Sequence, residues 1–351
     1  MKNTRFPRLL GGLAMASAMA MPTAAARAEN FQTEFDKIFG KELRAPREVP
    51  AIQPTIRPFV APAKPVTTYG GSLEATVAQL ANAAQGRIGV AAMDLATGRT
   101  ITVLGDQPFP MASTSKIAIA ATYLDLVDQG KLKLTDKFPL MIPRPSARFS
   151  SAAAPVRPGA ELTAQGLIEL SITRSDNPAT DALLAAVGGP AAVNRWIRKA
   201  GLSGIRLDRD IATLVRDDGE YNPATTVDLR DSATPLAMVQ LLAGLHEGRF
   251  LSAASRSVLL GAMGRCLTGK RRLRAMLPQE ARIAHKTGTL NNTSSDVGII
   301  NTPDGRAIAI AVYVTGQGGK ANRELRIASI SRAVYDGYQT ESSSLRRTAS
   351  R

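Results

Sequence analysis

The sequence is poor in the residues that build disulfides, zinc sites and histidine-based catalysis. Its 351 residues contain one cysteine, Cys266, so no intramolecular disulfide can form, and we expect this residue to be a buried, inert helix residue. The two histidines, His246 and His285, argue against a Ser-His-Asp triad. No cluster of cysteine and histidine offers ligands for zinc, and no glycine-rich phosphate loop is present. We therefore expect neither a metal nor another cofactor.

Acidic residues are scarce relative to basic ones. The chain has 44 Lys and Arg against 29 Asp and Glu, a formal net charge of +15. The basic residues are scattered and aromatic residues make up only 5% of the chain, so we predict no nucleic-acid partner. Attraction to anionic polymers of the cell envelope, attraction to carboxylate-bearing substrates, and simple solvation of the surface all stay open. We expect a monomer.

Long apolar runs are absent after the N-terminus. Basic residues precede a short apolar run over 9–21, and Ala26-Arg27-Ala28 supplies the small-x-small pattern of a cleavage site. This arrangement predicts a signal peptide over 1–28 and a periplasmic or secreted protein. The alternative is an uncut membrane anchor, but the run is short for a spanning helix.

The rest of the chain divides by composition. Prolines recur every three to four residues within 29–70, which predicts an extended linker. A Ser- and Arg-rich tail over 341–351 is predicted to be disordered. Between them, 71–340 carries strand patterns near both ends and helical patterns over about 113–270. This distribution predicts an α/β domain, an α+β sandwich whose antiparallel sheet is flanked by helices, beside an all-α subdomain. Helices are expected over 73–84, 114–129, 163–174, 179–187, 191–200, 235–246 and 322–338, and strands over 87–95, 100–104, 297–301 and 307–314.

A serine and a lysine three positions apart open the central apolar helix. In Ser113-Thr114-Ser115-Lys116 the two side chains share a helix face, so Lys116 can take the proton that activates the Ser113 hydroxyl. Backbone N–H groups at a helix start also favour a developing anion. A lysine without a function is unexpected directly before the apolar run 117–121. The structural alternative is an N-capping serine followed by a surface lysine, which would have the same sequence.

A second motif, Ser175-Asp176-Asn177, follows the helical pattern that ends near Arg174. Ser175 can relay a proton to a leaving nitrogen, and Asn177 can hold a substrate amide. Taken alone, the motif is better explained as a helix cap.

A third motif, Lys286-Thr287-Gly288-Thr289, precedes the last predicted strands, and a strand-start turn is its structural alternative. Lys286 and Thr287 offer a cation and a hydroxyl to a substrate carboxylate, and Gly288 permits close backbone approach. The N–H groups of Thr289 and Ser113 can together form an oxyanion hole.

The three motifs, in this order, are typical of class A β-lactamases and penicillin-binding proteins. Segment 109–116 resembles the nucleophile segment of the class A β-lactamases, within the SxxK penicillin-recognising superfamily. Segment 172–177 is similar to their second motif, and 206–209 and 230–235 resemble the two ends of their Ω loop. The resemblance covers roughly residues 72–340.

This resemblance implies an active site in the groove between the two subdomains, and a role for each matching residue. It implies that Ser113 is the acylated nucleophile and Lys116 its proton partner. It further implies that Ser175 relays a proton and that Lys286 anchors the β-lactam carboxylate. Arg209 and Asp231 would form the ion pair that closes the Ω loop.

The family's deacylating glutamate has no clear counterpart. Counting forward from 206–209 places it on Ile211, which cannot act as a base. Counting back from the far end of the longer loop places it on Asp218, with Glu220 nearby. We favour Asp218 slightly over Glu220, and a solvated acidic loop without a base stays open.

The leading functional prediction is a serine β-lactamase that acts through an acyl-enzyme on Ser113, with a small-molecule β-lactam as substrate. A D-Ala-D-Ala peptidase or penicillin-binding protein with slow deacylation is the alternative. A non-catalytic cell-wall-binding protein is the third hypothesis, against which the intact motifs argue.

Overall fold

The computed structural model describes residues 57–58 and 72–349, with side chains over 73–340. The predicted signal peptide lies outside the described residues. Of the predicted linker, only Arg57–Pro58 is described, as a short antiparallel pair with Thr226–Val227.

Five antiparallel strands form the central sheet: β1 (Gly86–Asp94), β2 (Thr100–Val103), β5 (Arg282–Leu290), β6 (Thr293–Asn301) and β7 (Ala307–Gly316). Their spatial order is β5-β6-β7-β1-β2, so the last strand of the chain pairs with the first. The prediction of an antiparallel sheet assembled from both ends of the domain is confirmed. A second, two-stranded pair lies among the helices: β3 (Lys137–Pro143) and β4 (Val156–Thr163).

The core of the sheet follows from the two-residue period of β7. Ile308, Ile310, Val312 and Val314 pack on one face against Ile327, Ile330 and Val334 of the C-terminal helix. The alternate residues, among them Ala309 and Ala311, are equally buried on the face that a second helix covers. Since both faces are covered, the strand reads as a continuous apolar run.

The helices mostly begin at capping side chains. Asp176, Thr234 and Ser252 each accept an N–H bond from three residues ahead and so define three helix starts. The nine helices within the described residues are α1 (Ser72–Leu80), α2 (Lys116–Asp128), α3 (Ala164–Glu169), α4 (Asn177–Ala186), α5 (Gly189–Lys199), α6 (Ile211–Arg216), α7 (Pro235–Glu247), α8 (Ala253–Gly264) and α9 (Lys320–Ala349).

Short elements complete the fold. Ala112–Ser115 and Leu273–Met276 are 3-10 helices, and Leu170–Arg174 is a π-helical turn. Phe109–Pro110, Ser232–Ala233 and Ile205–Arg206 form a small three-stranded sheet in that order. Across the described ranges, no helix is long and apolar enough to span a membrane.

Helix α9 runs to Ala349 and so enters the tail over 341–351, whose disorder stays a prediction. Two local predictions are corrected. The Lys286 motif lies inside strand β5 rather than at a turn before the strands. Cys266 is buried as predicted, but it follows α8 instead of belonging to it, because the chain leaves the helix at Gly264 and Leu267 N–H then donates to Thr173 O.

Candidate active site

Ser113 lies in the 3-10 helix that leads directly into α2, and its side chain is half-buried. The residue before it, Ala112, has a positive φ of 49°, so the backbone turns sharply at the nucleophile. Strand β5 passes close to this turn. A Cβ built on Gly288 would come within 2.7 Å of Met111 O, so glycine is required for this approach.

Lys116 is the first residue of α2 and is fully buried. Its Nζ donates to Ser175 O and to Asn177 Oδ1, both at 2.7 Å, while Ser175 Oγ lies 3.3 Å away. Burial, and then the neighbouring charge of Lys286, hold the pKa of this amine well below its ordinary value, against the pull of nearby carboxylates. A neutral amine has two N–H bonds, which the two closest acceptors satisfy. One lone pair is then left to accept a proton.

Ser175 stands between the two lysines. It follows the π-helical turn in a left-handed conformation, with φ 59° and ψ 33°, which directs the chain into the Asp176 cap of α4. Its Oγ accepts a hydrogen bond from Lys286 Nζ at 2.9 Å and lies 3.3 Å from Lys116 Nζ. The hydroxyl proton of Ser175 therefore stays available for donation, as a relay requires.

Lys286 is fully buried in β5, and its Nζ also donates to the backbone oxygen of Thr287 at 2.9 Å. Burial lowers the pKa of Lys286 to about 8, with opposing contributions from Cys266 and Asp296. The neighbouring Thr287 Oγ1 lies 2.6 Å from Thr268 Oγ1. At neutral pH the ammonium and hydroxyl predicted from the sequence thus stand together on one strand.

Arg272 supports this strand and was not singled out in the sequence. The buried guanidinium donates to Gly288 O at 2.8 Å and Ser295 O at 2.9 Å, which ties β5 to β6. It also donates to Thr289 Oγ1 at 2.7 Å. Because the Thr289 hydroxyl oxygen accepts a hydrogen bond from Arg272, the hydroxyl proton is not used in this contact and can be donated to another oxygen.

The ends of the Ω loop are joined by the expected ion pair. Arg209 Nε donates to Asp231 Oδ2 at 2.6 Å. Asp231 Oδ1 also accepts the backbone N–H groups of Asp208 at 2.7 Å and Arg209 at 3.0 Å. The longer loop between these residues contains helix α6, which the sequence did not predict.

The two predicted loop carboxylates have partners of their own. Both oxygens of Asp218 face the backbone N–H of Asn291, at 2.8 and 2.9 Å, just beyond the end of β5. Glu220 pairs with Arg230 at 2.6 Å. They line a pocket with Asn291 and Leu290 whose walls do not include the nucleophile or the buried lysines. The structure thus brings Ser175, Asn177 and both lysines together, and places the acidic cluster at the strand end.

Asp181 is a further buried carboxyl that the sequence analysis did not select. Its oxygens accept the N–H groups of Ile211 at 2.7 Å and Ala212 at 2.8 Å, which anchors the start of α6. Burial raises the pKa of Asp181 to about 7, although these hydrogen bonds oppose the rise. Asp181 lies one helical turn after Asn177, so the i, i+4 spacing was the signal that would have found it.

The described side chains hold no group of three or more His, Cys, Asp or Glu residues arranged to bind a metal ion.

Comparison with known proteins places the chain in a family. Residues 72–338 match the model of the β-lactamase enzyme family. The β-lactamase CTX-M-8 of Citrobacter amalonaticus is 33% identical over 283 residues, which cover 78% of this chain and 92% of that protein.

Solved structures agree with this match. A β-lactamase from Chitinophaga pinensis has a TM-score of 0.67 at 33% identity and covers 76% of this chain and 100% of its own. An ancestral class A β-lactamase reconstructed for Gram-negative bacteria has a TM-score of 0.64 at 38% identity and covers 76% of this chain and 99% of its own. The fold is the class A β-lactamase fold, and the chain belongs to the β-lactamase enzyme family.

Proposed function

We propose that the protein is a serine β-lactamase that hydrolyses the β-lactam amide through an acyl-enzyme on Ser113. The observation that carries this proposal is the position of Ser175 Oγ between two buried amines, 3.3 Å from Lys116 Nζ and 2.9 Å from Lys286 Nζ. Lys116, whose pKa is lowered more strongly, and Lys286, which stays charged at neutral pH, divide the roles of base and anchor.

In acylation, neutral Lys116 takes the Ser113 proton as the serine oxygen attacks the β-lactam carbonyl. The N–H groups of Ser113 and Thr289 stabilise the oxyanion. Lys116 then returns the proton to Ser175, which donates its own proton to the departing ring nitrogen as the C–N bond breaks. The acyl group stays on Ser113.

Lys286 and Thr287 hold the substrate carboxylate during these steps, with a cation and a hydroxyl on the same strand. Asn177 Oδ1 is occupied by Lys116, so its amide N–H group is the part left to contact the substrate amide.

Deacylation needs a base that takes a proton from water, and we propose Asp218 for this role. Support comes from its position against Asn291, two residues beyond the proposed oxyanion-hole residue Thr289. A carboxylate has about four acceptor sites, so one N–H donor leaves room for a water. Glu220 is held by the Arg230 guanidinium at 2.6 Å, so its carboxylate is less available to a water.

A second candidate function is favoured by Ile211. This buried apolar residue occupies the position reached by counting forward to the family's glutamate, so a chain without a working base would acylate and then stall. Such behaviour defines a penicillin-binding protein with slow deacylation, because general-base assistance is worth about 10²–10⁴-fold.

Hydrolysis of a chromogenic cephalosporin by purified protein tests the proposal. Ser113→Ala is expected to abolish turnover, whereas Ser203→Ala, an exposed serine, retains it. Asp218→Asn is expected to slow deacylation at least 100-fold and trap the acyl-enzyme, while Glu220→Gln has a smaller effect. Wild-type turnover by Ser113→Ala would contradict the proposal.

We also propose that residues 1–28 direct export, that the mature protein works as a monomer outside the cytoplasm, and that its net positive charge draws it to the anionic envelope. Periplasmic fractionation, N-terminal sequencing and light scattering test the first two statements. Envelope binding that weakens as salt rises tests the third.

A further inference from the structure

An open hollow borders strand β5 beside the residues assigned to the substrate carboxylate, and it takes no part in the steps above. It has a volume of about 450 Å³ and is lined by Gly269, Lys270, Arg271, Lys320, Ala321 and Glu324. These residues come from the segment that precedes β5 and from the start of α9. We call this feature the basic hollow.

The basic hollow adjoins Thr287, one of the two residues proposed to hold the substrate carboxylate. Thr268 Oγ1 lies 2.6 Å from Thr287 Oγ1. A Cβ built on Gly269 would come within 2.4 Å of Thr287 Cγ2, so the backbone at this glycine packs directly against the threonine. Lys270 follows in the chain, and the wall of the basic hollow therefore begins at the carboxylate-binding residue.

Positive charge exceeds negative charge in the basic hollow. Lys270 and Lys320 are exposed, and within the described residues neither makes an ion pair. Glu324, the one acid among the lining residues, lies 3.3 Å from Arg272 Nε and 3.9 Å from Arg271 Nε. This carboxylate thus faces two guanidinium groups, and the charges of both lysines stay available to an anion.

Helix spacing places Lys320 on the same side as these arginines. Lys320 and Glu324 are four positions apart in α9, so their side chains lie on one face of the helix. Because Glu324 faces Arg271 and Arg272, Lys320 faces the same segment from the start of the helix. The two lysines therefore flank one opening from two different elements.

The structure of a cephalosporin determines which part of it would reach this opening. Its ring carboxylate and its ring substituent are carried by adjacent carbon atoms, so a carboxylate held by Lys286 and Thr287 brings the substituent to the same end of the site. The reacting carbonyl is held at Thr289, roughly 7 Å further along the strand, since a strand rises about 3.3 Å per residue. The ring substituent thus lies near the basic hollow and away from the nucleophile.

We propose that the basic hollow is a subsite for a second anionic group of the substrate, carried by the substituent beside the ring carboxylate. The proposal rests on the proposed β-lactamase function and names a substrate class for it, namely cephalosporins with an acidic ring substituent. An anionic substituent is attracted by Lys270 and Lys320, whereas a neutral one is not. Both lysines are solvated, so we expect each to contribute about threefold.

Ceftriaxone and cefotaxime form a matched pair of substrates for the test. They share one acyl side chain, but the ring substituent is an acidic heterocycle in ceftriaxone and a neutral acetoxymethyl group in cefotaxime. The measurement is the ratio of their kcat/KM values, ceftriaxone over cefotaxime. The double variant Lys270→Ala with Lys320→Ala is expected to lower this ratio about tenfold, and salt at about 0.5 M should lower the wild-type ratio toward that of the variant.

Two controls separate charge from other effects of substitution. Lys270→Arg with Lys320→Arg keeps both charges and is expected to keep the ratio. Lys131→Ala removes an exposed lysine beyond the far end of α2, a helix about 20 Å long, and should change the ratio less than twofold. A ratio that changes less than twofold in the double alanine variant, or that falls equally in Lys131→Ala, would overturn the proposal.

A binding measurement keeps the subsite distinct from the proposed function. If neither cephalosporin is turned over, the proposed function fails. The subsite is then decided by the dissociation constants of the two compounds for Ser113→Ala protein, in which no acyl bond to this serine forms. A relative affinity for ceftriaxone that drops about tenfold when both lysines are replaced supports the subsite, and an unchanged relative affinity contradicts it.

Discussion

Raising the pH through the titration of Lys286 is the perturbation whose size follows most directly from the structure. The pKa of this buried amine is about 8, and the proposed function assigns binding of the substrate carboxylate to its charged form. With this pKa, about one half of Lys286 is charged at pH 8 and about one hundredth at pH 10. The value of kcat/KM should therefore fall about 50-fold between pH 8 and pH 10.

The pH profile should be bell-shaped, because protonation of Lys116 removes the base at lower pH. Two ammonium groups that face one Ser175 hydroxyl repel each other, so both are not charged at once without a large cost in free energy. Lys116 has the more strongly lowered pKa and therefore loses its proton first as pH rises. Lys116, Arg272, Asp296 and Cys266 are the charged groups that act on Lys286.

The assay is the pH dependence of kcat/KM for a chromogenic cephalosporin, with two controls. In Lys286→Arg the guanidinium stays charged throughout, so the basic limb should disappear, whatever the absolute rate. The methyl ester of the same substrate has no carboxylate, so its basic limb should also be lost. A wild-type profile that is flat to pH 10, or a limb that survives in Lys286→Arg, would refute the assignment.

Three further predictions concern the loop and the turn. Arg209→Ala leaves the buried Asp231 charge unpaired and should lower the free energy of unfolding by about 3–5 kcal/mol in urea titrations; a loss under 1 kcal/mol would contradict this. Asp181 has a raised pKa, so its protonated form stabilises the fold below about pH 4, and this contribution is lost as pH rises toward 7. Asp181→Asn should therefore reduce the pH dependence of the free energy of unfolding by up to about 4 kcal/mol. An unchanged pH dependence in this variant would count against the prediction. Gly288→Ala should slow acylation about 100-fold, measured with fluorescent penicillin, because its Cβ would press on Met111 O at the nucleophile turn.

Elements with a clear period were predictable from the sequence. The apolar alternation of β1 and β7 and the capped, periodic pattern of α7 gave ranges close to those observed. Strand β5 was missed as a strand because Arg282 and the polar Lys286 motif break its apolar alternation. Strands β3 and β4 contain prolines, which normally argue against a strand.

The candidate site was predictable where a short motif places two groups on one element. Ser113 and Lys116 share a helical turn, so their proximity follows from spacing. The contact between Lys286 and Ser175 joins residues 111 positions apart, and only resemblance, not local pattern, anticipated it. The partners of Arg272 are set by tertiary packing that carries no local signal.

The acidic loop shows why the spacing of residues alone did not identify the deacylating carboxylate. The insertion between Arg209 and Asp231 makes the two counts disagree, and the structure fills this stretch with α6, which Asp181 anchors. A helix inside the loop shifts every carboxylate that follows it, so no count from either end fixes where Asp218 and Glu220 stand.

The central claim is that an acyl-enzyme forms on Ser113 and is then hydrolysed. Stopped-flow mixing of the purified mature protein with a chromogenic cephalosporin tests it most directly. The account predicts sustained linear turnover that Ser113→Ala abolishes. A burst of one equivalent followed by a stall would contradict it, because the serine would then be competent while the loop supplied no working base.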